Sequence, residues 1–296
     1  MTAVPGMPPV IGILGGSGLY DIDGLEERHW RTISSPFGNP SDDIMEGILD
    51  GQRVLFLPRH GRKHHLPPSA VNYRANIDAL KRAGATEILS LSAVGSLKEE
   101  FPPGHFVIVD QFIDRTFSRE KSFFGAGCVA HVALGDPVCT RLGEALESAA
   151  VAAGVTATRG GTYLAMEGPQ FSTRAESKLY QSWDCDVIGM TNMPEAKLAR
   201  EAELCYATVA MVTDYDCWHE GHSDVTVDAV IKILHENAAK ARAIVKEVVP
   251  LLAKRTESCH AGCQTALDVA IVTPPEARDA QLVGMLDAVA GRVLGG

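Results

Sequence analysis

Short apolar runs that break off into polar or glycine-bearing loops, each followed by a stretch of helical period, recur along most of the chain. Residues 10–14 (V-I-G-I-L) run into Gly15-Gly16-Ser17-Gly18, and residues 54–57, 88–91, 106–109, 162–166, 187–190 and 205–212 read as further strands. Runs this short that are apolar throughout mark strands covered on both faces. Between them, residues 69–83 carry Val71, Ala75, Ala79 and Leu80 and stop at Gly84, which predicts a helix with a C-terminal glycine. Asp136-Pro137, a cap followed by proline, predicts a helix start that runs to Gly154. Thr173-Arg174-Ala175-Glu176 has the capping-box order and opens a helix to about Trp183. Residues 194–202 and 226–254 predict two more helices, the second kinked or ended by Pro250. This alternation predicts an α/β fold around a mostly parallel or mixed sheet. Neither a linker composition nor an internal repeat interrupts it, so one domain is expected over 1–296, with a flexible N-terminus at 1–9 and a less periodic tail at 256–296. In such sheets ligands collect beyond the carboxyl ends of strands, and chemistry is expected in the loops that follow them.

Charge narrows the partners. The 296 residues hold 27 Lys+Arg against 37 Asp+Glu, a formal net charge of −10. An acidic chain repels nucleic acid and anionic membranes, so neither is expected as a partner. No apolar run approaches the ~18 residues of a membrane span. The first residues lack the basic and apolar regions of a signal peptide, which leads to the expectation of a cytoplasmic enzyme. Seven cysteines are scattered and none forms a C-x-x-C pair; Cys259 and Cys263 come nearest. In a reducing compartment such cysteines are small buried hydrophobes, and the spacing argues against zinc. No metal site and no cofactor are expected.

Three clusters stand at strand ends. Gly15-Gly16-Ser17-Gly18 lets the backbone approach an anion and adds a hydroxyl donor. It matches neither the dinucleotide G-x-G-x-x-G nor the Walker loop, nor the G-x-S-x-G hydrolase elbow, and reads alone as a glycine turn or an anion loop. Pro58-Arg59-His60-Gly61-Arg62-Lys63-His64-His65 concentrates cationic side chains in an acidic protein. A solvated loop would account for it; a metal at His60 and His64 would be repelled by the Arg and Lys beside them, whereas an oxyanion is favoured by guanidinium groups. Ser92 ends another strand and adds a hydroxyl. Thr213-Asp214-Tyr215-Asp216 follows the apolar strand 205–212, and two carboxylates beside a buried strand end are costly unless paired or used. A carboxyl there would hold donor groups of a substrate, or donate a proton if its pKa were raised. Phe171 and Met190 offer surfaces for a flat ring or a sugar face, although each alone reads as core.

Taken together, Gly12–Leu19, T-I-S-S-P-F-G-N-P-S-D at 32–42, residues 59–64, 71–77, Gly95-Ser96, D-Q-F-I-D-R-T at 110–116, and residues 167–177, 190–191 and 210–218 resemble the purine nucleoside phosphorylase superfamily. The resemblance is closest to its 5′-methylthioadenosine phosphorylase branch and spans about residues 11–250. It implies a single α/β domain with a mixed, partly barrel-like sheet flanked by helices, assembled as trimers or hexamers. It implies phosphorolysis of 5′-methylthioadenosine to adenine and 5-methylthioribose 1-phosphate, with orthophosphate as co-substrate and no cofactor. Phosphate contacts are implied at Ser17, Arg59, His60, Ser92, Ala93 and Thr191, where Ser17 and Ser92 keep the hydroxyl of the threonines common in the branch. Phe171, Ile188 and Met190 would line base and ribose. Asp214 and Asp216 would face the base edge, and His131 would reach a neighbouring subunit's site. Related thermophilic enzymes pair cysteines near Cys139 and Cys205; thiols are expected here.

Chemistry supports these roles. Breaking an N-glycosidic bond leaves an oxocarbenium-like sugar that orthophosphate stabilises and captures. The departing purine needs a proton or hydrogen bond at N7, a task for Asp214. An amide at that position suits 6-oxopurines, so the carboxyl favours adenine. Val227, Val230 and Ile231, at i, i+3 and i+4, share a helix face that either packs in the core or meets a methylthio group. Two alternatives are compatible with the same residues: a methylthioinosine or 6-oxopurine nucleoside phosphorylase, and a non-catalytic purine- or phosphate-binding protein.

Overall fold

A computed structural model describes residues 8–16, 18–219, 227–254 and 259–295, and for 227–232 only the backbone. Eleven strands and seven α-helices alternate among the described residues. The strands are β1 (Ile11–Gly15), β2 (Leu25–Arg31), β3 (Ile44–Leu49), β4 (Gln52–Pro58), β5 (Glu87–Ser96), β6 (Phe106–Val109), β7 (Gln111–Arg115), β8 (Ala157–Arg159), β9 (Thr162–Met166), β10 (Val187–Gly189) and β11 (Cys205–Asp214). The helices are α1 (Tyr73–Arg82), α2 (Thr140–Ala152), α3 (Arg174–Ser182), α4 (Asn192–Glu201), α5 (Val227–Ala253), α6 (Ala280–Met285) and α7 (Asp287–Leu294).

All strands join one mixed sheet that branches at β5. One edge of β5 pairs along its length with parallel β11, which continues through antiparallel β6 to β8. The other edge pairs first with parallel β1 and then with antiparallel β10, so one branch runs β1-β4-β3-β2 and the other β10-β9-β7. Pleating sends successive side chains to opposite faces. Leu55, Leu57 and Ile88 join a core covered by α1, α4 and α7, while Val54, Phe56, Leu89 and Leu91 join another covered by α2 and α5. Burial on both faces accounts for the continuous apolar runs of β1, β4 and β11. The mixed α/β architecture is the one the sequence predicts.

Boundaries differ where caps compete. The helix expected at 69–83 begins at Tyr73, because Asn72 caps it by accepting from the Ala75 amide at 3.0 Å, and a 3-10 turn occupies Pro68–Ala70. Asp136-Pro137 does not open α2; the helix starts at Thr140 with Cys139 as its first flanking residue. The Thr173/Glu176 capping box is present in full at the start of α3. The sequence pattern predicts no strand at β2, β3, β7 or β8. β2 reads L-E-E-R-H-W-R and buries only Leu25, the charged character of a protected edge strand. The tail is structured: Ile271 pairs with Ala130, and Leu286, Val289 and Ala290 enter the first core. Among the described residues no helix is long and apolar enough to cross a membrane.

Candidate active site

β4, β1 and β5 lie side by side and parallel, so their carboxyl ends emerge together. β5 outruns β1: its edge pairs with β1 up to Ser90 and with β10 from Gly95. Along 91–94 that edge has no strand partner among the described residues. Parting strands leave carbonyls that need donors. Arg59, directly after β4, supplies them through Nη1 to the Leu91 carbonyl at 3.1 Å and Nη2 to that of Leu14 at 3.3 Å. Nη2 also reaches Ser90 Oγ at 2.7 Å, and Nε and Nη2 meet both carboxylate oxygens of Glu195 at 2.8 and 3.2 Å. The two side chains are only 2% and 1% exposed. Burial alone would weaken the guanidinium's hold on its proton, but Glu195 outweighs it and raises the pKa. The arginine expected as an anion fork is thus largely built into the wall, and of its five N–H groups one on Nη1 is left for a ligand.

His60 follows. Its Nδ1 lies 2.8 Å from the Leu66 carbonyl, which can only accept, so Nδ1 carries the proton and Nε2 the lone pair. Burial, then the neighbouring Arg59 charge, push its pKa down to about 4, and the ring is neutral at pH 7. It stacks on His64 at 4.6 Å between centroids.

The antiparallel register of β10 brings the hydroxyls together. Ile188 faces Gly95, so Thr191 and Ser92, each three residues further along, meet across the gap. Their oxygens are 3.1 Å apart, and Ser92 Oγ is 3.2 Å from the Tyr163 hydroxyl. Thr191 precedes α4 without capping it through its side chain, which leaves its hydroxyl for other partners beside a helix start. Half-buried Ala93 follows Ser92 on the same unpaired stretch.

Gly95 separates this end from the carboxylates. It pairs with Ile188 on one side and Asp214 on the other, where β11 bulges between Val212 and Asp214. A Cβ on Gly95 would fall 2.9 Å from Asp214 Oδ1 and 3.2 Å from Ile188 Cγ2. Asp214 accepts from the Thr213 hydroxyl at 2.7 Å and from the Asp216 amide at 2.8 Å. That turn holds Asp216 at φ 51°, a left-handed conformation aspartate tolerates better than most residues. Burial raises the pKa of Asp214 and pushes that of Asp216 up to about 6. Asp216 Oδ2 and Ser177 Oγ are both buried, and the Ser177 and Ser172 hydroxyls beside the carboxyl offset part of the effect of burial on Asp216. The space over Gly95 is tight enough to test. Gly95→Ala is expected to cost about 1–3 kcal/mol of stability and raise the nucleoside KM at least severalfold; a folded variant with unchanged KM would show that substrate does not use this space.

Loop 167–172 lies alongside. Cys217 Sγ donates to the Ser172 carbonyl at 3.3 Å, and a Cβ on Gly168 would fall 2.5 Å from Met190 Sδ. Phe171 is 49% exposed, Ile188 is buried and Met190 half-buried. Ser17 lies outside the described residues. Val227, Val230 and Ile231 open α5, but their side chains lie outside the described part of the structure. His131 is exposed on the connection between β7 and α2, its amide donating to the Ala270 carbonyl at 2.9 Å.

Two further residues escaped the sequence reading. Glu195 holds Arg59 and also accepts from Ser90 Oγ at 2.6 Å and the Tyr206 hydroxyl at 2.9 Å. Arg119 is buried and donates to the carbonyls of Met193 at 2.7 Å and Glu167 at 2.6 Å, which ties the first turn of α4 to the loop after β9. Its surroundings, F-S-R-E-K-S, look like a surface loop, and no local signal marks it.

The chain as a whole is similar to known proteins of one family. The profile described as the phosphorylase superfamily matches residues 10–250. An S-methyl-5′-thioadenosine phosphorylase of Rhodospirillum rubrum is 62% identical over 287 residues, covering 97% of this chain and 98% of that protein. One of Geobacter sulfurreducens is 54% identical, covering 96% and 99%. A crystal structure of a methylthioadenosine phosphorylase from an antarctic soil metagenomic library superposes with a TM-score of 0.91 at 48% identity, covering 95% of this chain and 99% of that one. The methylthioadenosine phosphorylase of Schistosoma mansoni in complex with adenine gives 0.79 at 36% identity, covering 88% and 99%. The chain belongs to the phosphorylase superfamily.

Proposed function

We propose that the protein cleaves 5′-methylthioadenosine with orthophosphate, giving adenine and 5-methylthioribose 1-phosphate. The observation that carries this reading is the order of groups along β5: the Ser92 and Thr191 hydroxyls meet three residues before Gly95, and the raised-pKa carboxyls Asp214 and Asp216 stand over Gly95 itself. An anion held by the hydroxyls stabilises the oxocarbenium-like sugar and then attacks it, while a protonated carboxyl meets the departing base. In this reading Ser17, Ser92, Ala93, Thr191 and the free N–H of Arg59 hold phosphate. Neutral His60 accepts from a protonated phosphate oxygen or takes up a proton as the anion binds. Phe171, Ile188 and Met190 enclose base and ribose, and Val227, Val230 and Ile231 pack the methylthio group. Orthophosphate is a co-substrate, and no cofactor enters these steps. The names of the relatives at 54% and 62% identity point to the same substrate.

The test is base release from methylthioadenosine, adenosine, methylthioinosine and inosine, with and without phosphate. Phosphate-dependent adenine release, fastest from methylthioadenosine, is expected; preference for methylthioinosine would favour the 6-oxopurine alternative. Exposed His131 supports the further reading that the protein assembles as a trimer or hexamer in which His131 completes the adjoining subunit's site. Light scattering is expected to give a trimer or a multiple of it, with His131→Ala raising KM; a fully active monomer would overturn this.

A further inference from the structure

Four cysteines from three parts of the chain meet at one buried point on the α2/α5 side of the sheet. Cys139 precedes α2, Cys205 opens β11, and Cys259 and Cys263 lie on the segment after α5. All four are buried, and their sulfurs lie within 4.8 Å of one another. Cys139 Sγ and Cys259 Sγ are 3.6 Å apart, and all four are free thiols. A disulfide needs sulfurs about 2.05 Å apart and joins two of them. Four sulfurs around a tetrahedral zinc, at about 2.3 Å each, lie about 3.8 Å from one another. The arrangement has that scale and that number of ligands.

We propose that Cys139, Cys205, Cys259 and Cys263 form a closed, structural tetrathiolate site for a soft divalent cation of the zinc class. The local electrostatics support it. Four thiolates and a divalent ion carry a net double negative charge that a dry core must balance. Cys139 stands at the N-terminus of the 13-residue α2, where the backbone favours a thiolate. Arg141, two residues on, is paired with Glu87 and is close enough to Cys205 and Cys139 to feel their charge, with a side-chain hydrogen bond to Cys205. Apolar Val138, Leu142 and Leu252 belong to the same core and exclude water. Thiolates that draw together around an ion add binding free energy to folding. The consequence is local: a bound ion pins residues 259–263 to β11 and α2. From there the chain runs directly to Ala270 and Ile271, which hold the backbone of Ala130 and His131. The site is separate from the phosphorylase reading and stands or falls without it.

The test uses the full-length, tag-free protein, purified under reductant from zinc-supplemented cells. Elemental analysis is expected to find about one zinc per chain that survives dialysis against a weak chelator. Cobalt exchange is expected to give sulfur-to-cobalt charge-transfer bands and the intense visible bands of a tetrahedral tetrathiolate. Cys263→Ser should remove most of the zinc and lower Tm, whereas Cys185→Ser, buried elsewhere, should keep both. The wild-type metal content and cobalt spectrum need no variant to fold. Reduced protein with four alkylatable thiols, no zinc and no cobalt band overturns the proposal. So do disulfides among these cysteines after anaerobic lysis, or zinc that persists in Cys263→Ser.

Discussion

Asp214→Asn is expected to lower kcat for methylthioadenosine about 100- to 10,000-fold, the usual range for losing a positioned general acid. The carboxyl accepts from Thr213 and from the Asp216 amide, and burial raises its pKa, so the protonated form persists to higher pH than in water. An amide of the same size preserves those contacts in part but has no proton to give to N7. The donor form is the protonated one, so wild-type kcat falls as pH rises through the raised pKa, and the Asn variant lacks that limb. An amide can donate to O6, so activity on methylthioinosine relative to methylthioadenosine should rise. Steady-state kinetics across pH on both substrates decide this; an Asn variant with wild-type kcat would remove Asp214 from the chemistry. Asp216 adds a stability signature. Its folded pKa of about 6 lies above an unfolded value of about 3.9, so the folded state holds a proton that the unfolded chain has released. Stability therefore falls between about pH 4 and pH 6, and Asp216→Asn should flatten that fall.

Glu195→Ala is expected to cost about 3–5 kcal/mol, because it leaves the Arg59 guanidinium buried and without its counter-charge. For a chain of this size the drop in Tm is on the order of 10 °C. The same change removes the acceptor of Ser90 and Tyr206 and loosens the donors that close the split between β1 and β5. Phosphate KM should rise together with the loss of stability. The double replacement Arg59→Met with Glu195→Met separates the effects: it removes both charges, so the part of the loss due to the unpaired charge should return, while the Leu14 and Leu91 carbonyls still lack donors and phosphate binding stays weak. Thermal melts and phosphate saturation curves on the three proteins test this. A Glu195→Ala protein as stable as wild type would show that the pair does not hold the wall. Arg59→Ala alone would mix both roles, since the same guanidinium closes the sheet and faces the site.

The sequence by itself determined the buried strands, most helices and which polar clusters stand at strand ends. β1, β4, β5 and β11 are apolar runs because parallel strands are covered on both faces, and the capping box at Thr173 is a local hydrogen-bond pattern. Asp214 and Asp216 were legible because two carboxylates beside an apolar strand are costly without a use. Edge strands were not legible: β2 is mostly charged and its pairing with β3 leaves no period of its own. Tertiary structure alone decided who meets whom. Arg59 finds Glu195 at a separation of 136 residues, Arg119 finds Met193 at 74, and Cys139 finds Cys259 at 120. Thr191 reaches Ser92 only because β10 runs antiparallel to β5 where β1 has ended. Local periodicity reports which face of an element is buried. Which side chains share a point depends on register and crossover, and those follow from how the whole sheet closes its hydrogen bonds.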